Sequence, residues 1–318
     1  MELLEAIKWA GVVGEGGAGF PTYAKLNTRA ECFIVNGAEC EPLIETDKYL
    51  MRTFPEEIIA GTAAVSAHLG AKRTVVALKE KYEAEAAALS AAIEKSGADI
   101  EIVKMPAFYP AGDEHTMVYY VTGRSIPARG IPISVGCVVD NVGTMRSVHE
   151  ALEGRQVTDK YLSVTGAVRE PVMLRVPVGT SFRECVALAG TKLSEYAVIN
   201  GGPMMGRAMV NLASPVTKGC SGITVMSGRD AQRREASQCI KCAKCVAACP
   251  MGLEPYYLSK MTQKKGWEEV EAQMITSCIE CGCCQASCPS YLPLLDWVRL
   301  GKQTVMGIIR ARAAAPKK

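Results

Sequence analysis

Nine cysteines crowd into the last quarter of this chain, eight of them in two near-copies of one pattern. CIKCAKCVAACP spans residues 239–250 and CIECGCCQASCP spans 278–289. Each run reads C-x2-C-x2-C-x3-C-P: Cys239, Cys242, Cys245 and Cys249 before Pro250, then Cys278, Cys281, Cys284 and Cys288 before Pro289. Three thiolates two residues apart wrap one corner of a [4Fe–4S] cubane, and the fourth, turned by its proline, reaches the neighbouring cluster. The expected ligand sets are therefore crossed. Cys239, Cys242, Cys245 and Cys288 hold one cluster; Cys278, Cys281, Cys284 and Cys249 hold the other. Zinc ribbons use two CxxC pairs, not four-cysteine runs closed by proline, and a disulfide framework does not suit a reducing compartment. Cys283, inside the second run, reads as a buried bystander. The segment between the runs, residues 252–276, has helical spacing of apolar residues and closes a ferredoxin-like unit. Such a pair of clusters is a wire, and a wire needs a source.

Composition narrows the classes. The 318 residues suffice for roughly two or three domains. Hydrophobic content of 48% with 22% charged residues is globular. A net charge of +3 and aromatic content of 6% argue against a nucleic-acid binder. No apolar run reaches the length of a transmembrane segment, and MELLEAIKWAGVVG carries acids where a signal peptide needs a basic start. The expectation is a cytoplasmic chain with reduced thiols.

A glycine-rich stretch, GVVGEGGAGFPTYAKL (residues 11–26), stands near the start. Gly14, Gly16, Gly17 and Gly19 let the backbone approach a ligand, and successive N–H groups can form an anion nest. Pro21 and Thr22 can start a helix whose dipole favours a phosphate, with Lys25 adding charge. The preceding ELLEAIKWAG is helical, which disfavours a Rossmann fingerprint. Further on come FIVNGAECEPLIETDK (33–48), with Asn36, Glu39, Glu41 and Asp47 after a short strand, then YPAGDE (109–114) and VVDNVGT (138–144). A helix over 55–70, a strand over 74–79, a helix over 82–96 and a strand over 100–105 lie between. This β/α alternation would place the polar groups at strand ends, where open α/β sheets bind ligands.

The set GGAGFPT…K, NGAECEP…D, YPAGDE and NVGT, with the two cysteine runs, resembles the flavin-binding subunit of respiratory complex I. It is more similar still to the RnfC-type component of the Rnf complex and to PduS-type cobalamin reductases, over about residues 5–300. The resemblance implies three modules: an FMN/NADH-binding α/β domain (1–154), a β-grasp soluble-ligand-binding-like (SLBB-like) domain (155–228) and a helical two-[4Fe–4S] ferredoxin-like domain (229–318). It implies that Gly14, Gly16, Gly17, Lys25, Asn36, Glu39, Tyr109, Gly112, Asp113, Asn141 and Thr144 form the FMN pocket. Glu41, on the nicotinamide side, and Glu114 are the catalytic candidates. Two departures stand out. Glu15 replaces a basic residue of the complex I loop, unfavourable beside a phosphate unless it points away, and Ala38 replaces an aspartate. The longer Rnf relatives also carry a domain ahead of the glycine loop that is not seen here.

Residues 155–212 suit the β-grasp module, short strands around one helix, with GGPMMG (201–206) either a ligand loop or a turn against the flavin domain. Cys32, Cys40, Cys137, Cys185 and Cys220 lack metal spacing, and His68, His115 and His149 are isolated. The tail RARAAAPKK reads as a frayed basic end. The leading functional reading is an oxidoreductase: NADH to FMN, then single electrons through both clusters to a redox partner. That partner would be membrane Rnf-type subunits, a soluble reductase or a corrinoid enzyme, and the chain would sit in the cytoplasm, peripheral to the membrane or inside a microcompartment. The alternatives are a reductase acting directly on a corrinoid, and a relay that does not use NADH.

Overall fold

Short runs of β-branched and apolar residues make the centre of the first part of the chain. β1 (Cys32–Asn36), β2 (Arg73–Lys79), β3 (Glu101–Met105) and β4 (Cys137–Asn141) form an all-parallel sheet in the order β3–β2–β1–β4. Alternate side chains of each strand go to opposite faces. Phe33, Val35, Val76 and Leu78 enter one core; Cys32, Ile34, Val75 and Ala77 enter the other. Both faces are covered, so these strands read as continuous apolar runs. The first face is packed by the helices Leu3–Ala10, Pro55–Leu69, Glu83–Ser96 and Val142–Leu152, the second by Glu114–Thr122. Gly61 allows the closest helix contact, since a Cβ there would lie 2.0 Å from the Met145 carbonyl oxygen.

The computed structural model describes residues 2–191, 194–232 and 234–314. They fall into two compact units, Met1–Ala231 and Gln232–Lys318. Within the first unit a second sheet follows: β5 (Asp159–Gly166), β6 (Val172–Pro177), β7 (Tyr196–Asn200), β8 (Arg207–Ala208) and β9 (Gly222–Ser227). Their order is β6–β5–β9–β7–β8, with β5 and β9 parallel and the other pairs antiparallel. One helix, Phe182–Ala189, packs on this sheet, its start fixed by a capping box between Ser181 and Glu184. This is the expected β-grasp. Arg146 ties it to the flavin-type sheet: its guanidinium lies 4.4 Å from the Phe54 ring and 4.9 Å from the Tyr161 ring, and pairs with Glu57 and Glu150.

The second unit is helical. Pro255–Gln263, Trp267–Ala272 and Leu294–Ala314 bury Leu258, Val270, Ile275, Val298 and Val305 between them. Gly301 lets the last helix approach Thr262, where a Cβ would be 2.3 Å from Oγ1. The expectation of a frayed tail from residue 310 needs correction. The helix continues to Ala314, and Arg312 pairs with Glu271 at 2.7 Å; residues 315–318 lie outside the described residues. Three more helices stand where the sequence reading assigned none: Thr46–Thr53, Glu114–Thr122 and Val142–Leu152. Each begins at the end of a motif-bearing loop, so the polar motif masked the helix start. Among the described residues no helix is long and apolar enough to cross a membrane.

Candidate functional site

The two cysteine runs interleave in space. One cavity is lined by Cys239, Cys242, Cys245 and Cys288; another is lined by Cys278, Cys281, Cys284 and Cys249. These are the crossed sets. The two loops share a backbone shape, with positive φ at Lys241 and Ala243 in the first run and at Glu280 and Gly282 in the second. That shape turns N–H groups onto sulfur: Lys241 N donates to Cys239 Sγ, Glu280 N to Cys278 Sγ and Leu253 N to Cys249 Sγ, each at 3.4 Å. Among the described residues no three ligating side chains converge on one point, as a single metal ion requires. The thiols instead ring a cavity, the arrangement a polynuclear cluster fits. Burial pushes the Cys278 thiol up to about 11 and Cys284 up to about 12, so these sulfurs suit the deprotonated state only with a metal beside them. Cys283 lies beside Cys281 but lines neither cavity.

The glycine stretch closes on itself. Gly14 N donates to the Phe20 carbonyl at 2.8 Å and Gly19 N to that of Gly14 at 3.1 Å, pinching the loop at its base. Gly17 holds φ +100°, and a Cβ on it would meet nothing within 4 Å, which leaves open space above the loop. A Cβ on Gly16 would contact only the Asn141 side chain, 3.7 Å away. The expected helix after Pro21 is a single turn, Thr22–Lys25, so its dipole is small and the loop amides carry the anion-binding capacity. Glu15 points away from the open side. Its carboxylate pairs with Lys160 Nζ and accepts from Ser147 Oγ, and its N–H donates to Thr144 Oγ1 at 3.0 Å. The acid that looked adverse is an anchor.

The strand order makes a crevice. Chain connections run outward from β1 to β2 and β3 on one side and to β4 on the other, so the carboxyl ends of β1 and β4 meet at a topological switch point. Asn36 and Asn141 are register partners there. The Asn36 side chain bonds the Gly112 carbonyl at 2.8 Å and accepts from Ala38 N, and Gly112 N donates to Cys40 Sγ at 2.7 Å. A Cβ on Gly112 would fall 2.3 Å from the Ala38 carbonyl oxygen. Only glycine fits, and here it serves loop-to-loop packing. Asp113 caps the helix Glu114–Thr122, accepting from His115 N and Thr116 N. Asn141 caps the helix Val142–Leu152 through Gly143 N, and its Nδ2 donates to Asp47 Oδ2 at 2.8 Å. Tyr109 precedes Pro110 across a cis peptide bond.

The crevice is rich in acids. Burial, with Asp47 nearby, pushes the Glu39 carboxyl up to about 8. Burial likewise pushes Asp47 up to about 6 against the opposing Asn141 bond. Asp140 is raised by burial, with Lys25 opposing. Burial works against the Lys25 charge, but Asp140 and Glu114 outweigh it and hold that pKa above its ordinary value. Lys25 Nζ reaches Glu114 at 2.8 Å, so its charge already has a partner. Thr22 Oγ1 and Asp140 Oδ2 are buried without hydrogen-bond partners. Two orphaned polar atoms, open space over Gly17 and the loop amides of residues 16–18 fit a polar ligand carrying an anion, as FMN is.

The β-grasp module borders the crevice. Lys218 Nζ donates to the Gly11 carbonyl at 2.6 Å, and Gly219 approaches Gly17 so that a Cβ would lie 3.4 Å from its carbonyl oxygen. Thr46 Oγ1 donates to the Ser221 carbonyl at 2.5 Å. Glu41, placed by sequence beside a nicotinamide, has its carboxylate on the GGPMMG loop: it accepts from Met204 N at 3.0 Å and from Met205 N. Gly202 permits this approach, since a Cβ there would be 2.2 Å from Glu41 Oε2. Sequence reasoning missed Thr46, Ser147 and Lys160, which hold the loops. Thr46 stands in the 33–48 stretch but was passed over for its acids, Ser147 and Lys160 stand in no motif, and contacts far apart in the chain bring all three to the site.

Comparison with known proteins accords with this architecture. Residues 7–150 match the Nuo51 FMN-binding domain, 161–208 the SLBB domain and 238–291 the 4Fe-4S dicluster domain. The chain is 40% identical over 269 residues to the cobalamin reductase PduS of Citrobacter freundii, covering 80% of this chain and 59% of that one. It is 36% identical over 279 residues to the RnfC-type component of the proton-translocating ferredoxin:NAD+ oxidoreductase complex of Clostridium ljungdahlii, covering 86% and 61%. The chain thus spans about three fifths of the length of these relatives. A crystal structure of an NAD+-reducing [NiFe]-hydrogenase shares the fold, with TM-score 0.66 at 19% identity, covering 99% of this chain and 63% of that one. With its FMN-type, SLBB and dicluster modules in that order, the chain belongs to the flavo-iron–sulfur electron-transfer family of the RnfC and PduS-type proteins.

Proposed function

We propose that the chain is an NADH:acceptor oxidoreductase organised as an FMN/NADH domain (1–154), a β-grasp domain (155–228) and a two-[4Fe–4S] domain (229–318). One observation carries the reading: a chain with two four-cysteine cavities also sets a glycine loop against Asn141 at the β1/β4 switch point. FMN, when bound, takes two electrons together and gives them up singly, which is what clusters of one-electron capacity require. The amides of residues 16–18 and Lys25 would hold its phosphate, with Gly14, Asn36, Glu39, Tyr109, Gly112, Asp113, Asn141 and Thr144 shaping the walls. Glu114 holds Lys25 in place. Glu41 would orient the nicotinamide end of NADH through the loop it already grips. The eight cysteines at 239, 242, 245, 249, 278, 281, 284 and 288 would bind the clusters in crossed sets. The acceptor would be a redox protein, with the chain peripheral to a membrane complex or inside a microcompartment.

The test is anaerobic mixing of the reconstituted protein with NADH. Bleaching of flavin absorbance followed by cluster reduction supports the reading. No bleaching by NADH, with normal reduction by dithionite, would leave a relay that does not use NADH. The similarity to PduS favours a second reading, direct reduction of a corrinoid. Cob(II)alamin consumption by NADH and this chain alone, with no protein acceptor added, would select it.

A further inference from the structure

The two halves of the cluster module match position by position but differ in charge. Lys241 in CIKC occupies the place of Glu280 in CIEC, and Lys244 occupies that of Cys283. Lys241 and Glu280 even share backbone φ, +57° and +58°, and the same N–H···S bond of 3.4 Å. Glu280 is neutralised from the last helix by Arg299 at 3.1 Å and Lys302 at 3.2 Å. Lys241 and Lys244 are exposed, and among the described residues neither makes an ion pair. No acid occurs between residues 236 and 253. A third cation, Lys260, lies over the ring of Tyr256, which lines the same cavity, at 5.9 Å.

Exposure follows the same asymmetry. Around the first cavity Cys242 is exposed, Ile240 is 67% exposed and Val246 is 39% exposed. In the second set Cys281 is buried and the other three thiols are partly covered. An open thiol, two exposed apolar side chains and an unpaired cationic rim together make a docking face. Electron transfer falls steeply with distance, and Ile240 lines the first cavity, so a carrier seated on this face would come close to the first cluster.

We propose that the face formed by Ile240, Lys241, Lys244 and Val246 docks an acidic one-electron carrier protein, making the first cluster the exchange point with the outside. This rests on the electron-transfer reading but not on NADH as the source. Unpaired lysines around an apolar centre give charge complementarity to such a carrier, and steer its encounter rather than add much affinity. A second copy of the chain is disfavoured, because it would present the same positive face.

The probe is a plant-type [2Fe–2S] ferredoxin, a small acidic carrier. Binding of its oxidised form to the anaerobic holoprotein is measured by calorimetry, and reduction of the clusters by its reduced form by stopped flow. Lys241→Glu with Lys244→Glu should lower the second-order rate about tenfold at low salt and weaken binding, and the difference should shrink at high salt. Lys72→Glu with Lys104→Glu, the same charge change on the flavin-type domain, should change neither. Equal effects from both pairs, or no effect from the first, would overturn the proposal. So would an equal loss of rate with dithionite as reductant, since the lysines would then act on the cluster itself; the milder Lys241→Gln with Lys244→Gln checks the same point with cluster content intact. If NADH fails to bleach the flavin while ferredoxin exchange keeps its salt-dependent loss, the NADH reading falls and this one stands.

Discussion

Removing Lys160 should unlatch the glycine loop. Its side chain is 3% exposed and that of Glu15 11%, so the pair is shielded from solvent. At an effective dielectric of about 20 and a separation of roughly 3 Å, the direct attraction is about 5 kcal/mol before desolvation is counted. Lys160→Met leaves the Glu15 carboxylate buried with only Ser147 Oγ to bond it. Breaking one side of a buried pair costs about 3–5 kcal/mol, and the surviving charge-assisted bond brings the expected loss to about 2–4 kcal/mol. Pairing it with Glu15→Gln removes the stranded charge, so the double variant should lie within about 1–2 kcal/mol of the parent and show coupling of at least ~1.5 kcal/mol. Because Glu15 adjoins Gly16 and Gly17, Lys160→Met should also weaken FMN binding, with the double variant partly restoring it. Anaerobic urea unfolding followed by flavin release, with FMN titration by fluorescence quenching, measures both. A single variant within about 1 kcal/mol of the parent, or additive changes, would refute the anchoring argument.

Three further outcomes follow from the site. Cys249→Ala should deplete the cluster of the second cavity more than the first, and Cys288→Ala the reverse; iron analysis with EPR decides, and loss within each cysteine's own run would refute the crossed sets. Glu39 and Asp47 hold their protons more tightly folded than unfolded, so their contribution to stability is full below the unfolded carboxylate range and lost as pH rises through the folded values. Flavin-depleted protein should therefore lose about 1–2 kcal/mol between about pH 5 and pH 8, a discounted figure because Glu39 is partly accessible, and Glu39→Gln should flatten that slope in urea titrations. Glu41→Gln keeps one acceptor oxygen for the Met204 and Met205 amides, so FMN and both clusters should stay while flavin reduction by NADH slows; an unchanged stopped-flow rate at unchanged NADH affinity would confine Glu41 to a structural tie.

Local pattern and spacing determined a good deal by themselves. Eight cysteines at fixed offsets have few ways to close on iron, so both cavities and their crossed membership were legible from the two runs. Strand runs and the helices over 55–69 and 83–96 were legible too, because apolar periodicity is a local property. What the motif residues do was not. Asn36, Gly112, Asp113 and Asn141 lie in the expected loops, yet they stitch strand ends and cap helices, roles set by neighbours far away in the chain. Glu15 looked like a misplaced acid because its partner, Lys160, stands 145 residues on, near the start of a strand in a different sheet. Glu41 meets the GGPMMG loop across 163 residues. The unlike surroundings of Lys241 and Glu280 also arise from packing: the last helix brings Arg299 and Lys302 to Glu280 but leaves Lys241 exposed. Sequence carries the chemistry of each group, but burial, charge pairing and access depend on which distant surfaces the fold presses together, and only the tertiary structure decides that.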